Sequence, residues 1–222
     1  MLDQAAWTSL TGPHAHFAEV LGQARRYPAA VSPIMAVHPR QDKQVWDDLR
    51  ALVGPGQPAF LSGTIDAPDE WETTLAIPGV QLVATDAFVS RPDADLVTLG
   101  AADVPEMRAL VKRTEPGPFE PETYKLGTYL GVRHEGALVA MAGERLHPPG
   151  FTEISAVCTD AAFRGQGLAT RLVRAVAHGI RARGDTPFLH TAAGNTTAIR
   201  LYEHLGFKLR RTVLFAVLRS PE

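Results

Sequence analysis

The chain has a single cysteine among its 222 residues. Cys158 has no partner for an internal disulfide and no other metal ligand near it, which excludes a disulfide scaffold and a cysteine-based metal site. An excess of charge of one sign is also missing. The 22 Lys and Arg residues stand against 24 Asp and Glu, a net charge of -2, and the basic side chains are scattered. That balance argues against nucleic acid as a partner. No apolar run approaches the roughly 20 residues of a membrane span. The start, Met1-Leu2-Asp3-Gln4, has neither the basic residues nor the apolar core of a secretion signal. These absences leave a soluble protein of a reducing, cytoplasmic compartment as the expectation, with no membrane partner.

What is present is an ordinary globular composition, 45% hydrophobic and 21% charged, in a chain long enough for one large domain or two small ones. The pattern changes at Ser90–Ala94, where Arg91-Pro92-Asp93 interrupts it. Residues 1–92 read as a small α/β half without a chemical motif. Short apolar runs (Ala30–Val37, Pro58–Gly63, Val80–Ala84) flank a helical stretch at Gln41–Val53. Residues 95–220 read as a second domain. Leu96–Gly100 is strand-like, and Asp103 with Glu106 three residues on has the form of a capping box. Thr128–Arg133 and Ala137–Leu146 flank the hairpin signal Glu135-Gly136. Glu153–Thr159 and Phe188–Ala192 are further strands. Leu168, Leu172, Val173, Val176 and Ile180 share one helical face. Asn195 is a good N-cap for a helix closed by Gly206, and Val213–Leu218 is a last strand. The class is therefore α/β, a mixed sheet with helices on its faces.

Between strand Ile154–Thr159 and helix Thr170–Arg183 lies Arg164-Gly165-Gln166-Gly167-Leu168-Ala169. Two glycines let the backbone turn tightly and approach a ligand without a Cβ in the way. The free N–H groups and positive dipole end of the following helix make the turn a socket for phosphate or pyrophosphate. The bland reading is a tight turn and nothing more. No Gly-Lys-Ser/Thr follows, and position 170 is threonine, so neither a nucleoside-triphosphate loop nor a dinucleotide fingerprint is present.

The element order, the Arg-x-x-Gly-x-Ala loop and Asn195…Leu201-Tyr202-Glu203-His204-Leu205-Gly206-Phe207 together resemble the GCN5-related N-acetyltransferase (GNAT) superfamily, closest to its branch with an FR47-like C-terminal domain. The resemblance covers about Leu96–Leu218. It implies the acyl-CoA N-acyltransferase fold, with the first half as a degenerate companion of the same kind. It implies acetyl-CoA as co-substrate, no metal, and an amine acceptor: a small metabolite, an amino acid or a protein N-terminus. A homodimer is left open. The coenzyme's arm would lie between the splayed strands and pair with backbone groups of Val157, Cys158 and Thr159. Its pyrophosphate would rest on Arg164, Gly165, Gln166, Gly167, Leu168, Ala169 and Thr170. Asn195 would touch the amide-bearing arm, beside its role as a cap. Tyr202 would donate a proton to the departing thiolate, a task suited to a phenol that stays protonated at neutral pH, unless it is only a core aromatic.

The amine must lose a proton to attack. His190 stands where some family members carry a glutamate base, Glu153 is the second candidate and Glu144 the third; a water chain would also serve. A backbone N–H at Val157 or Cys158 would polarise the thioester carbonyl. Strand alternation places Glu153, Ser155, Val157 and Thr159 on one face. Cys158 reads as a small core residue rather than a nucleophile, His14 and His16 as no metal site, and Arg210-Arg211 as a solvated strand edge. Without an unambiguous base, a non-catalytic CoA-binding or sensing module is the rival expectation.

Overall fold

Helix ends in this chain follow from side-chain chemistry. Asp42 accepts a hydrogen bond from the Val45 N–H and Asn195 one from the Ala198 N–H, each satisfying a donor that the first turn leaves free. Gly206 takes the left-handed conformation that ends the last helix, at φ +104. The computed structural model describes residues 1–222. In chain order the elements are α1 (Ala5–Leu10), β1 (Glu19–Leu21), β2 (Ala24–Arg26), β3 (Met35–Val37), α2 (Lys43–Val53), β4 (Pro58–Gly63), β5 (Glu72–Ala84), β6 (Val97–Leu99), α3 (Val104–Thr114), β7 (Tyr129–His134), β8 (Ala137–Glu144), β9 (Phe151–Thr159), α4 (Leu168–Ala182), β10 (Thr186–Ala192), α5 (Thr196–Leu205) and β11 (Phe207–Arg219). None of the helices is long and apolar enough to cross a membrane.

Eight strands form one sheet in the order β4-β11-β5-β10-β9-β8-β7-β6, and β1-β2-β3 form a small second sheet. Within the large sheet only β9 and β10 run parallel. Strands from before and after the 92–95 boundary share this sheet, because β5 lies between β10 and β11. One core cluster joins α4 and α5 (Leu172, Val173, Val176, Ile180, Leu205) to Leu82, Ile154 and Leu189 of the sheet. A second puts Met107 and Leu110 of α3 against Met141, Ala156 and Cys158.

Three sequence expectations need correction. The capping box at Asp103 and Glu106 does not form: Asp103 accepts from the Gly100 N–H and from Arg133, while Glu106 binds Arg133 and the Leu138 N–H. Cross-element partners outcompete the local cap. The last strand begins at Phe207 rather than Val213; it pairs with β5 along its length and with β4 only from Leu214 to Arg219. Around Arg210 and Arg211 it pairs with β5 alone, so the two arginines stand on a locally unpaired edge; Arg210 bonds Gln81 and Asp3, and Arg211 bonds Asp3 and Thr64. Third, β9 does not alternate regularly. Ala156 sits at φ +52, where the pairing with β8 slips. This bulge lets Ile154 and Val157, three apart, pack against the same cluster beneath α4, so Val157 leaves the face that carries Glu153.

Candidate active site

The turn from β9 into α4 is built as an open cradle. Gly165 and Gly167 have φ +76 and +75, and a Cβ added at either would meet nothing within 4 Å. Gly167 is the N-cap of the 15-residue α4 and brings no capping side chain. None of the N–H groups from Gly165 to Thr170 donates to another backbone group. Six amide donors at a positive helix end, with unfilled space before them, fit a pyrophosphate. Nearby cations are directed elsewhere: Arg171 forks onto Asp93, and Arg164 donates to the Thr159 carbonyl.

The cleft behind this cradle comes from the parallel pair. β9 and β10 are in register from Phe151↔Thr186 to Ile154↔Leu189, and no pairing continues beyond. The stretch Ser155–Thr159 keeps β8 on one side and has an open edge on the other. Val157, Cys158 and Thr159 lie on this stretch. Cys158 itself is core: burial pushes its thiol up to about 11, which leaves almost no thiolate at neutral pH. A separate polar depression of about 400 Å³, among Ala84, Asp86, Arg181, Gly184, Asp185 and Thr186, lies at the opposite end of β10.

Tyr202 projects from α5 into the core cluster shared with α4 and is 7% exposed. Burial pushes its phenol up to about 12, and no protein group hydrogen-bonds the hydroxyl. It is thus a neutral donor without a competing acceptor. The Asn195 side chain is engaged in capping α5.

His190 is held on both ring nitrogens. Nδ1 lies 2.8 Å from Glu153 Oε1, and Nε2 lies 2.9 Å from the Gln81 amide nitrogen. That nitrogen also donates to the Leu2 carbonyl, while Gln81 Oε1 accepts from Arg210. The orientation of the Gln81 amide is therefore fixed from both ends. With the Gln81 amide nitrogen facing Nε2 and the Glu153 carboxylate facing Nδ1, Nδ1 is the ring's donor toward Glu153 and Nε2 its accepting side. Glu153 is fully buried and takes two hydrogen bonds from Arg145, at 2.7 and 2.9 Å. Burial alone would raise its pKa. The Arg145 guanidinium and His190 overcome that and hold the carboxyl well below the usual range. Glu144 is buried too, paired with Arg183 and beside His147. His14 hydrogen-bonds Tyr27 and stacks on His147.

The structure thus brings His190 and Glu153 into direct contact and sets them on strands that border the cleft. Arg145 and Gln81 were missed from the sequence. Gln81 had a signal, a lone amide inside the apolar run Val80–Ala84; Arg145 had none beyond its place at a strand end.

The cradle, the splayed parallel strands and the phenol on α5 together define a class. The chain belongs to the GNAT family of acetyltransferases. A family described as FR47-like protein matches residues 129–216. Among curated proteins, the N-alpha-acetyltransferase RimI of Mycobacterium tuberculosis is 32% identical over 130 residues, 52% of this chain and 81% of the relative. A mycothiol acetyltransferase of Corynebacterium glutamicum is 45% identical over 62 residues, 28% of this chain, and the chain spans only 21% of that relative's length. Among solved structures, a GNAT-family protein from Novosphingobium aromaticivorans is 39% identical with a TM-score of 0.90, covering 100% of this chain and 99% of its own.

Proposed function

We propose that this protein transfers an acetyl group from acetyl-CoA to a primary amine by direct attack, with both substrates bound together. The observation that carries the reading is the unfilled cradle at Gly165–Thr170 joined to the open edge of β9. The residues present suit the coenzyme: the cradle amides would hold its pyrophosphate, the backbone of Val157, Cys158 and Thr159 its extended arm, and Asn195 would touch that arm. The coenzyme supplies an acetyl group activated as a thioester. Free N–H groups on the open side of β9 are suited to polarise a carbonyl. Tyr202 keeps its proton at neutral pH and is the donor to the sulfur side.

Glu153 serves as the orienting partner rather than the base, because both its oxygens are occupied and its proton affinity is low. It fixes the His190 tautomer so that Nε2 is the accepting atom. The donor now on that atom is Gln81; the proton of an ammonium entering the cleft reaches Nε2 through a short water chain, whose last water replaces Gln81 as the donor. Isothermal titration with CoA tests the reading, and no binding at millimolar CoA removes it. The same occupancy of His190 favours the rival reading, a CoA-binding or sensing module without turnover. Thiol release from acetyl-CoA across a panel of amines separates the two, since turnover with any acceptor eliminates the sensor.

A further inference from the structure

β5 outruns β10 at the mouth of the cleft. The last residue of β5 paired with β10 is Gly79, opposite Ala192, and the Ala193 N–H then donates to the Pro78 carbonyl at 2.8 Å. That carbonyl points to the β10 side. Two residues earlier, Ala76 must present its own N–H and C=O on the same side. Nothing meets them: every residue from Glu72 to Pro78 is exposed, with Leu75 at 44% and Ile77 at 38%. A bulge opposite Val217 and Leu218 ends the regular edge at Thr74. Between Thr73 and Ile77 there is no charge or proline, the devices that ordinarily protect a free edge.

This edge leads into the site. Leu75, Ile77, Gly79 and Gln81 fall on one face by alternation. Ile77 lies opposite Phe215, and Gln81 lies opposite His190. The Phe215 ring covers Gly79, where an added Cβ would stand 2.3 Å from it, and meets the His190 ring edge-on at 6.0 Å. Leu75, Ile77, Phe215 and His190 thus form one strip from solvent to the imidazole.

We infer that this strip docks the acceptor, and that the acceptor is the free N-terminus of an extended polypeptide. It adds to β5 as a short strand in line with β10, paired to Ala76 and resting apolar side chains on Leu75 and Ile77. Its amine has to lie at the Ala193 end, so the chain runs toward Glu72, antiparallel to β5. A second copy pairing through the same edge would bring the middle of a strand to the cleft, whereas the chemistry needs a terminus. The inference rests on the acetyl-transfer reading.

The test uses the full chain with acetyl-CoA and four acceptors: propylamine and the amides of Ala-Val, Ala-Val-Thr-Val and Ala-Val-Thr-Val-Thr-Val. The expected kcat/KM rises about tenfold from dipeptide to tetrapeptide, the worth of two added backbone hydrogen bonds. It then levels off, because the regular edge stops at Thr74. Methylating single backbone nitrogens of the tetrapeptide removes the gain at one position and spares its neighbour. Ala76→Pro, a change an edge strand tolerates, lowers tetrapeptide kcat/KM about tenfold with CoA affinity unchanged. Rates independent of length, propylamine equal to the tetrapeptide, or equal tolerance of every methylation overturn the strip while leaving acetyl transfer intact. So does a dimer that Ala76→Pro disrupts and the tetrapeptide leaves in place. Absence of CoA binding, or of thiol release with every acceptor, overturns both.

Discussion

Replacing Gly167 by alanine separates what the cradle does for folding from what it does for binding. At φ +75 an alanine strains the backbone by about 1 kcal/mol. Because its Cβ meets nothing within 4 Å, no packing penalty is added. For a domain of this size that strain lowers Tm by about 2–4 °C. The same Cβ intrudes on the space before the amide donors. Losing one or two hydrogen bonds to a charged phosphate costs about 1.5–3 kcal/mol, so Kd for CoA rises about tenfold to a hundredfold. Gly184 supplies the control, since it has φ +87 and equally open surroundings but sits past the other end of α4. Gly184→Ala is expected to show the same small Tm loss with CoA affinity unchanged. Titration calorimetry and thermal melts on both variants read the two quantities. Equal CoA affinity for Gly167→Ala and the parent would refute the cradle, and with it the account of the cleft.

Tyr202→Phe is expected to lower kcat about tenfold to a hundredfold with little change in KM for acetyl-CoA; since the hydroxyl has no protein partner, the urea midpoint stays close to the parent's. A fall in affinity at constant kcat would make Tyr202 a packing residue. Arg145→Met leaves the buried Glu153 without its guanidinium and with only His190 and the Leu146 N–H as partners, for a loss of about 3 kcal/mol in urea unfolding, whereas Arg145→Met with Glu153→Leu recovers most of it. A double variant as unstable as the single one would contradict this. His14 is pushed down to about 3, first by burial and then by His147 and His16. Its unfolded form takes up a proton below about 6.5 that the folded form refuses. Stability is therefore lost as pH falls, by about 2 kcal/mol between pH 7 and 5. The carboxylates, whose folded pKa values are lowered, add their own loss only below about pH 4.5. His14→Gln should flatten the pH 7 to 5 segment of the stability curve; an unchanged slope would place the titrating group elsewhere.

Local signals fixed the second half of the chain well. The hairpin at Glu135-Gly136 has both residues at positive φ, the α4 face lies buried as its spacing required, and Asn195 caps α5. Each depends on residues a few positions apart, so a linear reading reaches them. β5 was recognised only as the short run Val80–Ala84. Its other part is exposed on both faces, so no burial pattern marks it. Its place between β10 and β11 depends on pairing across more than a hundred residues, which no local feature encodes.

The site divides the same way. Loop chemistry belongs to the sequence: two glycines ahead of an amphipathic helix dictate free amides at a positive helix end, whatever surrounds them. The proton-handling groups do not. His190 and Glu153 are 37 residues apart, and Gln81 stands 109 residues before His190. Only the sheet order brings them within hydrogen-bond distance, and only Arg145 at 2.7 Å turns Glu153 from a candidate base into a fixed anion. A pKa is a property of neighbours in space, and tertiary structure chose the neighbours.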